Sequence, residues 1–204
     1  MTPGSESVLP KLIFATNNAH KVAEIHSVLD RIMEVVSLQQ AGIFIDIPEP
    51  HQTLEANASE KSRTIYTLTG LPCFSEDTGL ETEALNGEPG VLSARYAGEG
   101  KNSTDNIEKL LAKLQHHTNR RARFRTVISL LLNDKEMLFE GICEGDILHD
   151  PRGAKGFGYD PVFRPAGSTH SFAEMNMEEK NQFSHRKKAV IKLVDFLKQY
   201  IPAK

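Results

Sequence analysis

The sequence predicts an α/β fold, and three stretches carry that expectation. Leu12 to Ala15 reads as a strand. It passes through the polar loop Thr16-Asn17-Asn18-Ala19-His20-Lys21 into a helix with Val22, Ile25, Leu29 and Ile32 at helical spacing. Leu71, Cys73 and Phe74 read as a short buried strand that ends in adjacent carboxylates, Glu76 and Asp77, followed by Thr78 and Gly79. Arg121, Arg123 and Arg125 alternate with apolar residues entering a strand that becomes wholly buried over Val127 to Leu132. The turn Asn133-Asp134-Lys135 then folds it onto a long strand at Leu138 to Leu148 as a hairpin.

Taken in order, Met1 to Pro10 lacks a basic start and an apolar signal core, and we expect a flexible tail there, with residues 11–204 forming a single α/β domain. The hydroxyl and amide side chains of Thr16, Asn17 and Asn18 stand at a helix N-terminus with Lys21 one turn in, which reads either as a pocket that suits phosphate, though without the glycines of a P-loop, or simply as Asn18 capping the helix beside a solvated Lys21. A second strand is expected at Glu34 to Leu38. In the turn-rich segment Ile47-Pro48-Glu49-Pro50-His51, Pro50 biases Glu49 toward extended backbone, which aims its carboxylate into a cleft or leaves it as an exposed loop charge. A helix over Thr53 to Leu68 presents Leu54, Ala58, Ile65 and Leu68 inward and stops at Gly70, so Asn57 and Lys61 read as a solvated stripe.

Two adjacent carboxylates at the end of a buried strand repel each other and persist most easily where Mg²⁺ or a proton-transfer task requires them, so Glu76 and Asp77 read either as such a site or as an acidic turn capped by Gly79. Dense turn chemistry follows at Asn86 to Gly90. Arg95 beyond it is read as meeting a phosphate, pairing with a carboxylate or tying its loop down. A helix over Thr104 to His117, capped by Ser103 or Thr104, carries Ile107, Leu110, Leu111 and Leu114. Gly141 and Gly145 in the hairpin read as bulges or close backbone contacts. The glycine loop Gly153 to Asp160 holds Phe157, Gly158, Tyr159 and Asp160, an aromatic pair and a carboxylate suited to enclosing a base, and precedes a strand over Pro161 to Phe163. From Phe172 the chain reads as two helices. The first contains Lys180 and the second opens with Ser184-His185-Arg186, with Val190, Leu193, Val194 and Leu197 as its buried face.

Bulk properties limit the function classes. The chain has 204 residues, 39% hydrophobic and 25% charged, which is enough for one sizeable core or two closely joined lobes. A formal net charge of -3 argues against a nucleic-acid partner. The three alternating arginines lack interleaved aromatics for stacking apart from Phe124, which lies on the opposite face. Cys73 and Cys143 stand apart in apolar surroundings and read as buried reduced thiols of a cytoplasmic protein. No apolar run approaches the length of a membrane span, so no membrane partner is expected.

Four blocks in order, Thr16 to Lys21, Ser75 to Leu80 with Gly90 to Tyr96, Gly156 to Pro161, and Ser184-His185-Arg186, resemble the inosine triphosphate pyrophosphatase family. The resemblance spans Leu12 to Leu197. It implies an elongated mixed β-sheet with flanking helices, two lobes around a central nucleotide-binding cleft, and a homodimer. It also implies a Mg²⁺-dependent hydrolase that converts non-standard purine nucleoside triphosphates (XTP, ITP, dITP) to monophosphate and pyrophosphate. By resemblance, Thr16, Asn17, Asn18, Ala19, His20 and Lys21 form the triphosphate loop, and Asp77 is the general base and metal-linked carboxylate. Glu49 and Glu76 are further metal ligands. Thr78, Phe157, Gly158, Tyr159, Asp160, Lys180, His185 and Arg186 contact the substrate. Asn17 stands where many members have glycine, and Glu76 where many have aspartate.

Overall fold

Parallel and antiparallel strands meet in one mixed sheet in the computed structural model, which describes residues 11–29 and 33–199. Strand β1 (Lys11–Phe14) pairs in parallel with β2 (Glu34–Ser37), and helix α1 (Ala19–Leu29) supplies the crossover that a parallel pair requires. On its other side β1 pairs in parallel with the start of β3 (Cys73–Thr82), reached through helix α2 (Leu54–Thr69). The two-residue β4 (Pro89–Gly90) lies against the far part of β3. Beyond helix α3 (Ser103–Lys113), β5 (Arg121–Leu132) runs antiparallel to the whole of β3 and forms a long hairpin with β6 (Lys135–Ile147). Asn133 and Asp134 turn that hairpin at φ 51° and 61°, left-handed values that asparagine and aspartate tolerate and that match the strand twist. Strand β7 (Phe163–Pro165) closes the sheet, and helices α4 (Met177–Phe183) and α5 (His185–Lys198) end the described chain.

Side-chain alternation along β3 and β5 sorts the helices by face. Helix α2 covers one face through Leu54, Ala58 and Ile65. Helices α1 and α5 cover the other, burying Ile25, Leu29, Val190, Leu193 and Val194 against Phe14, Phe74, Ile128 and Leu130. A separate cluster, with Leu80, Leu110, Phe124, Phe163 and Phe172, forms around the far halves of β3 and β5. The core is thus divided between two ends of the molecule, as the two-lobed expectation requires, and β3 and β5 run through both.

Several boundaries differ from the sequence expectation. The strand expected to end at Phe74 runs ten residues, so Glu76, Asp77 and Thr78 lie within it, each paired across to β5. Leu68 and Leu71 are exposed at 58% and 54%, outside the apolar stripe. Helix α3 is capped one residue earlier than expected, by Asn102, whose Oδ1 accepts from the Thr104 N–H at 2.8 Å, and it ends at Lys113. The strand placed at Pro161 to Phe163 forms only from Phe163, and residues 172–175 turn rather than continue a helix. The N-terminal tail and Ile32 lie outside the described residues. Cys73 and Cys143 are buried free thiols, and among the described residues no helix is long and apolar enough to cross a membrane.

Candidate active site

The sheet opens at one place. After Phe74, β3 loses β1 as its neighbour, and it gains β4 only at Leu80. A cavity of about 620 Å³ lies at this gap, where strand order changes and α/β sheets bind ligands. The loop after β1, the segment 46–50, the 310 turn Ser93–Arg95 and the loop 157–160 line it. The gap lets both faces of β3 contribute, and since Glu76 and Asp77 are consecutive in a strand they point to opposite sides.

On the α2 side, Asp77 meets two side chains that follow one another by a helical turn. Asn57 Nδ2 donates to Asp77 Oδ2 at 3.2 Å, and Lys61 Nζ lies 3.3 Å from Oδ1. Lys61 also reaches Glu49 Oε1 at 2.5 Å, so two carboxylates from different elements converge on one cation. Arg95 fixes this corner by donating to the Glu49 carbonyl at 2.9 Å, with its guanidinium 3.7 Å from the Glu49 carboxylate. Burial raises the Asp77 pKa, opposed by Lys61 and Lys21 and assisted by the Glu49 charge. For Lys61 the cost of burial is outweighed by Asp77 and Glu49, so its pKa rises and it stays charged.

On the α5 side the charges interlock more tightly. Arg186, only 2% exposed, donates from Nε and Nη2 to the two Glu76 oxygens at 2.7 and 2.9 Å, a bidentate fork, and from Nη1 to Glu24. Lys21 lies 3.1 Å from Glu76. Glu24 also accepts from Lys180 at 2.8 Å, and Lys180 donates to Asp160 at 2.6 Å. Burial alone would raise the Glu24 carboxyl, but Arg186 and Lys180 outweigh it and hold its pKa at about 2. Glu76 is lowered in the same way by Arg186 and Lys21. Asp160 goes the other way, since burial exceeds the help from Lys180. Desolvation also keeps His185 neutral, stacked on Phe124 with centroids 4.7 Å apart and its Nδ1 buried without a partner. Phe157 lies over this group, stacked on His20 at 5.0 Å, with Lys180 5.3 Å and Arg186 5.8 Å from its ring centre.

Local sequence explains the placement. Asn18 Oδ1 accepts from the His20 and Lys21 N–H groups at 3.0 and 3.1 Å, capping α1 and aiming Lys21 back toward β3. Gly156 has φ 74°, and a Cβ there would stand 2.1 Å from Asp160 Oδ2, so the glycine lets that carboxylate fold under its own loop to take the Phe157 N–H at 2.9 Å. Ser184 Oγ caps α5 by accepting from Lys187, and the two residues after it turn inward.

Of the residues singled out from sequence, Thr16, Asn17, Asn18, Lys21, Glu49, Asp77, Thr78, Phe157, Gly158, Tyr159, Asp160, Lys180, His185 and Arg186 line the one cavity. Ala19, His20 and Glu76 do not: His20 stands outside on Phe157, and Glu76 is fully buried behind Arg186 and Lys21. The repulsion expected between the adjacent carboxylates is offset by side-chain cations: Arg186 and Lys21 meet Glu76, Lys61 meets Asp77, and Lys21 acts on Asp77 through space. The solvated stripe is corrected, since Asn57 is 0% and Lys61 7% exposed. Glu24 was missed. It is buried on the flank of the apolar stripe of α1, where helical spacing carries no signal for it. Two of the three arginines of β5 pair with carboxylates: Arg123 with Glu81 at 2.7 Å, and Arg125 with Glu140 at 2.6 Å and with Glu55.

Residues 12–196 match the model of the Ham1 family. The chain is 53% identical over 190 residues to a dITP/XTP pyrophosphatase of Porphyromonas gingivalis, covering 93% of this chain and 98% of that protein. It is 49% identical over 188 residues to one of Flavobacterium psychrophilum, covering 92% and 99%. Among solved structures, the Staphylococcus aureus Ham1 protein superposes with a TM-score of 0.84 at 38% identity, covering 93% of this chain and 99% of that one. The Coxiella burnetii HAM1 protein gives 0.86 at 34% identity, covering 94% and 100%.

Proposed function

This chain belongs to the Ham1 family, and from that premise we propose that it hydrolyses non-standard purine nucleoside triphosphates (dITP, ITP and XTP) to the monophosphate and pyrophosphate, clearing them from the nucleotide pool. One observation carries the reading: a single cavity has convergent carboxylates with a lysine at one end, and an anchored guanidinium and a buried carboxyl under an aromatic ring at the other. Its size suits a nucleotide.

The donor set fits Mg²⁺. Glu49 and Asp77 already converge on one cationic point, and among the described residues no three His, Cys, Asp or Glu side chains gather as a metal cluster. Mg²⁺ commonly binds through one or two carboxylates, with water and substrate phosphate completing its shell. Asp77 and Glu49 would hold it, and it would neutralise phosphate charge. Glu76 serves instead as the counter-ion of Arg186 and Lys21. Asp77, its pKa raised by burial, orients and deprotonates the water that attacks the α-phosphorus. Lys21 and Lys61 bring positive charge to the departing pyrophosphate, and Thr16 with the amides around Asn17 positions the phosphate tail.

At the other end, hypoxanthine and xanthine present a 6-keto acceptor and an N1–H donor, whereas adenine reverses both. Glu76 and Glu24 fix Arg186 so that its cavity edge meets O6. Both protein hydrogen bonds to Asp160 fall on Oδ2, which leaves Oδ1 for N1–H. Adenine would leave these buried groups unsatisfied. The family resemblance supports a cytoplasmic homodimer, with residues 11–204 acting as one domain. The test is pyrophosphate release from ITP with Mg²⁺ and its loss with EDTA. Binding without turnover would make the chain a nucleotide-binding module instead.

A further inference from the structure

We propose that Asn57 is a positioning residue of this reaction, fastening the Asp77 carboxylate and the segment that carries Glu49 to one another. The inference rests on the function proposed above. From Ile43 to Pro50 burial alternates, with Ile43, Ile45, Ile47 and Glu49 half-buried and the residues between them exposed, yet the segment joins no strand ladder. Side chains hold it by its backbone instead. Asn17 Nδ2 donates to the Ile45 carbonyl at 3.0 Å, and Arg95 holds the Glu49 carbonyl. Asn57 clasps His51 at both ends: its Oδ1 accepts from the His51 N–H at 2.9 Å, and its Nδ2 donates to the His51 carbonyl at 3.2 Å.

The same Nδ2 carries a second hydrogen, and that one goes to Asp77 Oδ2. A carboxamide has two N–H donors on one atom and an acceptor beside them, and here all three functions are engaged at a site with no solvent exposure. The opposite amide rotation would set oxygen against both the His51 carbonyl and Asp77, so one orientation alone satisfies the site. With Oδ2 held by a neutral donor, Oδ1 is the oxygen turned to Lys61. Asp77 and the backbone two residues beyond Glu49 are therefore tied together by one uncharged side chain, alongside the Lys61 bridge between the two carboxylates themselves. Aspartate keeps the acceptor for His51 but loses both donors, and alanine loses everything.

Asn57→Ala and Asn57→Asp should each lower kcat for ITP by about tenfold to a hundredfold, the usual cost of displacing a reacting group by an ångström or so. KM and the affinity for IMP, measured by calorimetry, should stay within about threefold, since the monophosphate and base contacts lie elsewhere. In a Glu49→Gln background, Asn57→Ala should cost less than about a third of its effect in the wild type, because residues acting as a unit are not additive. Turnover within threefold of wild type in whichever variant folds would overturn the proposal, as would equal loss of kcat and IMP affinity, additivity with Glu49→Gln, or failure of both variants to fold, which would make Asn57 a clasp of the fold alone. A wild-type chain releasing no pyrophosphate would sink the functional reading and this inference with it, whereas an active wild type with indifferent variants sinks only the inference.

Discussion

The two faces of β3 solve the problem of buried charge differently. Behind Glu76 the charges are closed on themselves: Glu76, Arg186, Glu24, Lys180 and Asp160 form a chain in which opposite charges alternate and the three inner members, Arg186, Glu24 and Lys180, each have partners on both sides. Around Asp77 a single ammonium is shared between two carboxylates, and Glu49 still keeps about a quarter of its side chain in solvent. The closed network resists rearrangement, which suits recognition of a fixed donor and acceptor pattern. The open one can exchange partners, because a divalent cation and phosphate oxygens can replace Lys61 and bind Lys61 in turn without leaving any charge unpaired. Rigidity and exchangeability are separated by the thickness of one strand.

The sharpest way to break this contrast is Asp77→Asn, which removes the charge on the exchangeable face while leaving the Asn57 contact possible. We expect kcat to fall by about a thousandfold or more with the melting temperature little changed. Steady-state kinetics showing more than about a tenth of wild-type kcat, under roughly 1.4 kcal/mol, would deny Asp77 a central role. Arg186→Lys probes the closed face, keeping the charge but losing the fork that spans Glu76 and Glu24. The kcat/KM for ITP should drop by about a hundredfold while the slow ATP reaction changes little, so the selectivity ratio collapses. Equal losses on ITP and ATP would place Arg186 outside base recognition.

Lys21 acts on both faces, through its 3.1 Å contact with Glu76 and through space on Asp77. Lys21→Ala should weaken ITP by about tenfold and IMP much less, the charge acting where the outer phosphates are. Matched weakening of the two ligands, read by calorimetry, would contradict that. The smallest effect concerns acid. The Glu24 carboxyl is held at about 2 against an ordinary 4.5, so the stability it contributes is complete above about pH 4.5 and is lost as pH falls toward 2. Glu24→Gln should flatten the fall of unfolding free energy across that window. An unchanged slope in denaturant titrations would show that the network does not anchor this face.

The parts of this organisation readable in the sequence are those with local causes. The Asn18 cap, the Gly70 helix stop, the Asn133-Asp134 turn and the apolar stripe of α5 depend on near neighbours, and each stands where spacing put it. The four family blocks contain most of the residues that line the cavity, while Glu49 and Lys180 lie outside them. What escaped depends on distant partners. Asn57 and Lys61 share a helix face that looks solvated until a strand twenty residues later presents Asp77 to it. Glu24 becomes a hub only when α5, more than 150 residues away, delivers Arg186. The end of β3 was misplaced for a related reason, since carboxylates continue a buried strand only if cations await them on both sides.

Gly141 lies behind this arrangement and does not line the cavity. A Cβ there would stand 2.0 Å from the His185 carbonyl and 2.5 Å from the Ala189 N–H, so β6 and the first turn of α5 are in backbone contact. The depth at which His185 and Arg186 enter the cavity is therefore set by the missing side chain of a hairpin strand. A laboratory search for altered base preference that randomises only the cavity wall would never sample this position. Yet a single added methyl there would lift the whole opening turn of α5 and shift the cavity-lining His185 and Arg186 together, as a shim under a hinge resets a door without touching the lock.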